Sequence, residues 1–426
     1  MSHILLASTP VYGHVAPLLR IGEELVYRGH RVTMLTGTRF EAAVVDAGIA
    51  FTPLTGTADF DDRDQDSYIP DRNQYSGVRR AQYEIRRIFV DPIPEQARAL
   101  RATIRHDAPY AVLVDGAFTG ALPLITAGDA DRPPIVALGV TPLSQSDPDL
   151  APYGMGLPPA RSAADRLRYR ALGVVARHLI FRPTQRAARA AFAAAGSDLP
   201  FFAMDSSRAF DQFLQTGPDH LEYPRRTLAS NTRFIGTIPP RPFTGELPDW
   251  WGDLDGRRPV IHVTQGTVDN GDTSRLIRPA IDALADTEYL LVVSTGGGDT
   301  RSLGTLPSNV RAAAFLPYDL LLPKCAAMIT NGGYGGVQTA LGHGVPIIVA
   351  GDTEEKPEVA ARVAWSGAGI DLRTGTPTAQ QLREATTRLL ASDTYRRAAL
   401  SLSEQQAQYD PFSAIESVLH PYPPAR

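Results

Sequence analysis

The chain has 426 residues, 43% of them apolar and 21% charged, which suits a globular protein of two or three domains, each able to bury its own core. Its formal net charge of −4 excludes a bulk electrostatic pull towards nucleic acid or an anionic membrane. The single cysteine, Cys325, excludes an internal disulfide. With no His or Asp beside it in sequence, it reads as a small buried residue in a reducing compartment rather than a nucleophile.

The opening residues, MSHILLASTP, read as a strand (3–7) entering a loop. They lack the basic segment and long apolar core of a secretion signal, and no apolar run reaches the roughly 18 residues of a membrane span. A cytoplasmic protein is expected. A helical pattern over 15–28 is closed by Gly29, a strand follows over 31–36, and a second helix ends at Val44, Val45 and Gly48. Strands over 110–114, ending at Asp115, and 134–138 come next. Continuous apolar strands separated by helices predict a parallel α/β sheet. Two irregular, helix-rich inserts, 55–101 and 142–202, interrupt it; inserts over a rigid sheet commonly cover a substrate.

Residues 238–259 are dense in Pro, Gly and Asp and read as an inter-domain linker. A second α/β alternation follows, with strands over 260–264, 289–294, 310–315, 328–330 and 346–349, and a helix over 274–285. A short helix, 410–419, comes after a break.

The most informative stretch is 326–349, AAMITNGGYGGVQTALGHGVPIIV. A buried strand runs into the glycines Gly332, Gly333, Gly335 and Gly336, then a helix and a second strand. A glycine turn opening a helix leaves backbone N–H groups unpaired at the positive end of the helix dipole, which is a phosphate site. His14 stands where the first strand passes into a helix, and Asp115 ends another strand. Both therefore face the ligand crevice of an open parallel sheet. There an imidazole can take a proton from a hydroxyl, and a carboxylate can fix its tautomer. Gly266 and Thr267, after the strand 260–264, read either as a turn with a helix cap or as a backbone N–H and a hydroxyl offered to a phosphate. TGGG at 295–298 reads as a loop rather than a dinucleotide fingerprint, and GxxxxGK[ST] is absent. The acidic run DFDDRDQD (59–66) lies in an insert without a preceding buried strand and reads as a solvated loop, not a metal site. No Cys/His zinc spacing occurs.

Taken together, STPVYGHVAP, RGHRV, VLVDG and FLPYDLLLPKCAAMITNGGYGGVQTALGHGVPIIVAGDTEEKPEVAARV resemble the GT-B glycosyltransferases of family 1, in their bacterial natural-product (macrolide-type) branch. The resemblance covers nearly the whole chain. It implies two facing Rossmann-like domains with parallel sheets and a central cleft: 1–237 for the acceptor, 260–409 for the nucleotide sugar, with 410–426 crossing back to the first domain. It implies inverting, metal-independent transfer, without a cofactor, from a nucleoside-diphosphate sugar to a hydroxyl of a hydrophobic small molecule. By the same resemblance His14 is the general base and Asp115 its partner. Thr267, Gly333, Gly335 and Gly336 meet the diphosphate, Phe315 stacks on the nucleobase, and Glu355 and Lys356 occupy the Asp-Gln pair that binds the sugar.

The sequence departs from the family pattern at several of these places. Asn331 replaces a His on the diphosphate, and Tyr318 replaces a Gln at the base edge. Gly336 replaces a frequent Ser or Thr, Thr339 stands where plant members often have a ribose-binding Glu, and Lys356 brings a cation to the sugar pocket. These leave the nucleotide open among UDP, dTDP and GDP. Two other readings are a non-catalytic homologue that activates a partner enzyme and a lipid-acceptor transferase of the same fold. The first is opposed by the presence of both His14 and Asp115. The second calls for an apolar, basic patch on the first domain; none is obvious in the sequence, and the Arg-rich stretch 161–189 keeps the reading open.

Overall fold

In the first strand, Ile4 and Leu6 enter one apolar core while Leu5 and Ala7 enter another. A strand apolar on both faces needs cover on both, and a parallel sheet between two helix layers supplies it. The computed structural model describes residues 2–128, 131–267 and 270–419 and contains two such sheets. The first has the order β3-β2-β1-β4-β5-β6-β7, with β1 His3–Ala7, β2 Arg31–Thr36, β3 Ala50–Pro53, β4 Ala111–Asp115, β5 Ile135–Gly139, β6 Gln212–Thr216 and β7 Thr232–Gly236. The second has the order β10-β9-β8-β11-β12-β13, with β8 Val260–Thr264, β9 Leu290–Ser294, β10 Val310–Ala313, β11 Cys325–Thr330, β12 Ile347–Val349 and β13 Gly369–Asp371. Every named pairing is parallel.

Four strands go beyond the sequence reading: β3, β6, β7 and β13. β3, β7 and β13 stand at sheet edges; β6, though buried on both faces, carries polar residues within the run, as β7 does (QFLQT, TRFIG). Phe315 falls past the end of β10, not within it. Residues 237–248 form no helix or strand, and Trp250 and Trp251 of the short turn Asp249–Asp253 pack on the second domain's core.

The helix Pro411–Leu419 does return to the first sheet. Ile415 and Leu419 are buried in one core with Ile4, Leu6 and Leu113, and Glu416 pairs with Arg28 at 2.8 Å. Residues 420–426 lie outside the described part of the chain.

The two halves also touch through a buried charged cluster. Glu222, in the loop after β6, accepts from Nε of Arg362 (2.9 Å), from the Tyr334 hydroxyl (3.1 Å) and from the amide of Leu143 (2.9 Å). Arg362 also reaches Glu358 at 2.8 Å and lies over the Tyr223 ring at 4.3 Å. Glu358 in turn accepts from the amides of Gly154 and Gly156, each at 2.9 Å. These bonds join the second insert and the β6 loop to the helices Tyr334–Gly342 and Lys356–Trp365.

Candidate active site

β1 and β4 are neighbours, so their C-terminal ends open side by side, with Ala7 in register with Val114. That adjacency brings His14, in the first turn of the helix Tyr12–Tyr27, against Asp115, the last residue of β4. Their contact, His14 Nδ1 to Asp115 Oδ1, is 2.9 Å. Asp115 is wholly buried and is held in place by the amides of Thr9 and Ala117, both at 2.7 Å, and by the Ser8 hydroxyl at 3.3 Å. A carboxylate only accepts, so Nδ1 carries the hydrogen and Nε2 is left as the basic atom. Burial disfavours the charged ring. The carboxylate of Asp115, helped by Glu355 and Glu354, outweighs that and raises the proton affinity of His14 above the usual imidazole value.

The acidic run of the first insert serves this helix. Its N-terminal residue, Val11, makes no side-chain cap; instead Asp62 accepts from the Tyr12 amide at 2.7 Å and pairs with Arg39 at 2.7 Å. Asp59 accepts from the Thr38 amide at 2.9 Å, and Asp61 pairs with Arg63 and Arg39. These acids thus fasten the insert to the loops beside His14.

On the second domain the glycine turn leads from β11 into the helix Tyr334–Gly342. Gly332 has φ +95°, and a Cβ there would stand 2.8 Å from a Val349 methyl, so only glycine fits. The amides of Gly333, Tyr334 and Gly335 open the helix and have no intrahelical carbonyl to meet. Among the described residues no other protein group accepts from them. A Cβ at Gly333 or Gly335 would meet nothing within 4 Å, so this end is open to a ligand. Gly336 has room for a side chain, Met328 Cε lying 4.0 Å from a Cβ there. Thr267 is exposed on the bend after β8. Phe315 is 64% exposed and lies against Gly297, so its ring offers a free face.

Three residues do not stand as the sequence suggested. Tyr318 turns its hydroxyl inward to Nε2 of buried His262, at 3.1 Å; the other ring nitrogen donates to the Val292 carbonyl at 2.9 Å. Its oxygen is therefore spent in the core rather than at a base edge, and burial pushes its pKa up to about 12. Lys356 is buried, with Nζ on the Thr353 hydroxyl at 3.0 Å and on the Glu354 carboxylate. Its charge is neutralised under the loop instead of entering a sugar pocket. Asn331 donates from its amide nitrogen to the Gln265 carbonyl, while its buried Oδ1 has no partner among the described residues. One amide hydrogen is thus engaged within the protein and the oxygen can only accept, which leaves backbone amides as the main donors at this end. Glu355 keeps its place at the cleft. Burial, and then the neighbouring Glu354, raise its proton affinity, and its charge acts on His14 from across the gap.

Several residues of the site went unread in sequence. Arg275 lines a small cavity with Gln265, Asn331 and Gly351 and pairs with Asp352 at 2.8 Å. The buried Glu222–Arg362–Glu358 cluster lies against the helices Tyr334–Gly342 and Lys356–Trp365. Its only signal was the i, i+4 spacing of Glu358 and Arg362.

Residues 278–417 match the family described as "Erythromycin biosynthesis protein CIII-like, C-terminal domain". The chain is 38% identical to 4'-demethylrebeccamycin synthase of Lentzea aerocolonigenes, over 96% of each chain. The chain belongs to the natural-product glycosyltransferases of family 1. This glycosyltransferase is also 36% identical to UDP-glycosyltransferase 2 of Phaeomoniella chlamydospora, over 98% of its own length and 94% of that protein. The crystal structure of the kitacinnamycin glycotransferase superposes with a TM-score of 0.72, covering 99% of both chains at 23% identity. The fold is GT-B.

Proposed function

We propose that this glycosyltransferase moves a sugar from a nucleoside diphosphate to a hydroxyl of a hydrophobic small-molecule acceptor, with inversion at the anomeric carbon and without a metal ion. The observation that carries the reading is a cross-cleft pair. An imidazole with its Nδ1 pinned by Asp115 stands in one domain, and helix-opening amides that no described protein group accepts from stand in the other. The acceptor oxygen bonds to the anomeric carbon as the bond from that carbon to the diphosphate oxygen breaks. The hydroxyl proton passes to Nε2 of His14, and Asp115 stabilises the imidazolium formed. The electron pair leaves with the diphosphate, onto the amides of Gly333, Tyr334 and Gly335 and the hydroxyl of Thr267. Donors fixed where charge develops are commonly the largest single catalytic contribution. Phe315 supplies the platform for the base.

The names of the relatives, a UDP-glycosyltransferase and a rebeccamycin-type synthase, support a nucleotide-sugar donor and a natural-product acceptor. The test is a panel of UDP-, dTDP- and GDP-sugars with aromatic and macrolactone acceptors, with and without EDTA, followed by NMR of the product's anomeric coupling. Inverted product formed equally in EDTA is expected. Retained configuration, or activity abolished by EDTA and restored by a divalent ion, would overturn the reading.

A further inference from the structure

The helix Ala163–Val175 and the turn Ala176–Ile180 after it carry an aliphatic stripe that faces outward. Leu167, Ala171, Val174, Val175 and Leu179 fall at i, i+4, i+7, i+8 and i+12, the spacing of one helical face. In a core-facing helix that stripe would be covered. Here Leu167 is 70%, Val174 60% and Leu179 71% exposed, while the buried contacts come from Tyr169 and Ala176 on other positions. The helix is nonetheless well specified. Ser162 and Asp165 form a capping box, and the Tyr169 hydroxyl donates to the Pro158 carbonyl at 2.9 Å. Apolar residues gathered on one exposed face mark a contact surface.

The charge around the stripe says what it meets. Between 161 and 189 there are eight arginines and one acid, Asp165, and that acid is spent on the helix cap. Arg166 and Arg177 are paired with Asp149 and Asp205; the others, Arg170 and Arg182 among them, are exposed. The chain as a whole is negative, so this cationic face is local. A second copy docking through the same stripe would set arginine against arginine. An aliphatic stripe edged with arginines instead matches the boundary between acyl chains and anionic headgroups.

We propose that the outward face of this helix seats the enzyme on an anionic lipid surface, as a peripheral contact. Among the described residues no helix is long and apolar enough to cross a membrane, so such seating is reversible. It does not depend on the sugar-transfer reading. The test is co-sedimentation of the full chain with vesicles of phosphatidylcholine alone or mixed equally with phosphatidylglycerol, at low and high salt. Binding to the anionic vesicles only, weakened by salt, is expected. The double variant Leu167→Glu, Val174→Glu should lose at least about tenfold of it while keeping its thermal unfolding temperature, since both sites are on the surface. No sedimentation above the lipid-free control would overturn the proposal, as would equal binding by the double variant. A dimer in light scattering that the variant dissolves would also overturn it, in favour of a second copy on this face.

Discussion

At His14 two opposing influences set the proton affinity: burial, which favours the neutral ring, and the carboxylate of Asp115, which favours the charged one and prevails. A general base works only unprotonated, so kcat/KM should fall as pH drops through a value above 6.5, the ordinary imidazole pKa. Asp115→Asn removes the charge that holds that value up. Its acid limb should move to lower pH, and its plateau should drop about 10²-fold or more because the tautomer is no longer fixed. A pH–rate profile of both proteins checks this; an unmoved limb would contradict it. His14 and Asp115 were legible because strand ends in a parallel sheet face one crevice. Tyr318 and Lys356 were not, because a sequence position fixes where a side chain starts and not where it points. Each had a partner within reach, buried His262 and the loop residue Glu354, which no spacing rule announces.

Among the elements, the turn between β11 and the helix Tyr334–Gly342 has the narrowest tolerance. Gly332→Ala would force a Cβ to a left-handed residue and against Val349, at a cost of about 1–3 kcal/mol. Thermal unfolding should fall accordingly, and nucleotide affinity should fall with it because the amides beyond the turn shift. Wild-type melting and affinity in the Gly332→Ala variant would refute the turn's role. This element was the plainest signal in the chain, since glycine clustering between two apolar runs has few other uses. The strands β6 and β7 were silent by comparison, their polar residues breaking the apolar run. The acidic run shows the reverse case. It read as a solvated loop, yet Asp62 is buried and supplies the cap that the helix of His14 lacks.

Over the whole molecule, the two sheets are tied together behind the cleft by Glu222, Arg362 and Glu358, each nearly inaccessible to water. Breaking such a cluster leaves charges buried and unpaired. Arg362→Met should therefore cost roughly 3–5 kcal/mol, read as a lower unfolding temperature, and it should loosen the relation between His14 and Glu355. No loss of stability would mean the cluster is solvated in solution. Two parallel sheets were legible because strand and helix patterns alternate twice around a linker. Their mutual placement was not, because contacts between residues 140 positions apart leave no local trace.

The central claim, that an imidazole from one domain deprotonates an acceptor while the other domain holds the nucleotide sugar, is tested most directly by His14→Ala. Sugar transfer and nucleotide binding are measured on the same preparation, by product mass and by calorimetry. Transfer should fall by about 10²–10⁴-fold, with nucleotide affinity unchanged. Turnover at the wild-type rate would contradict the account.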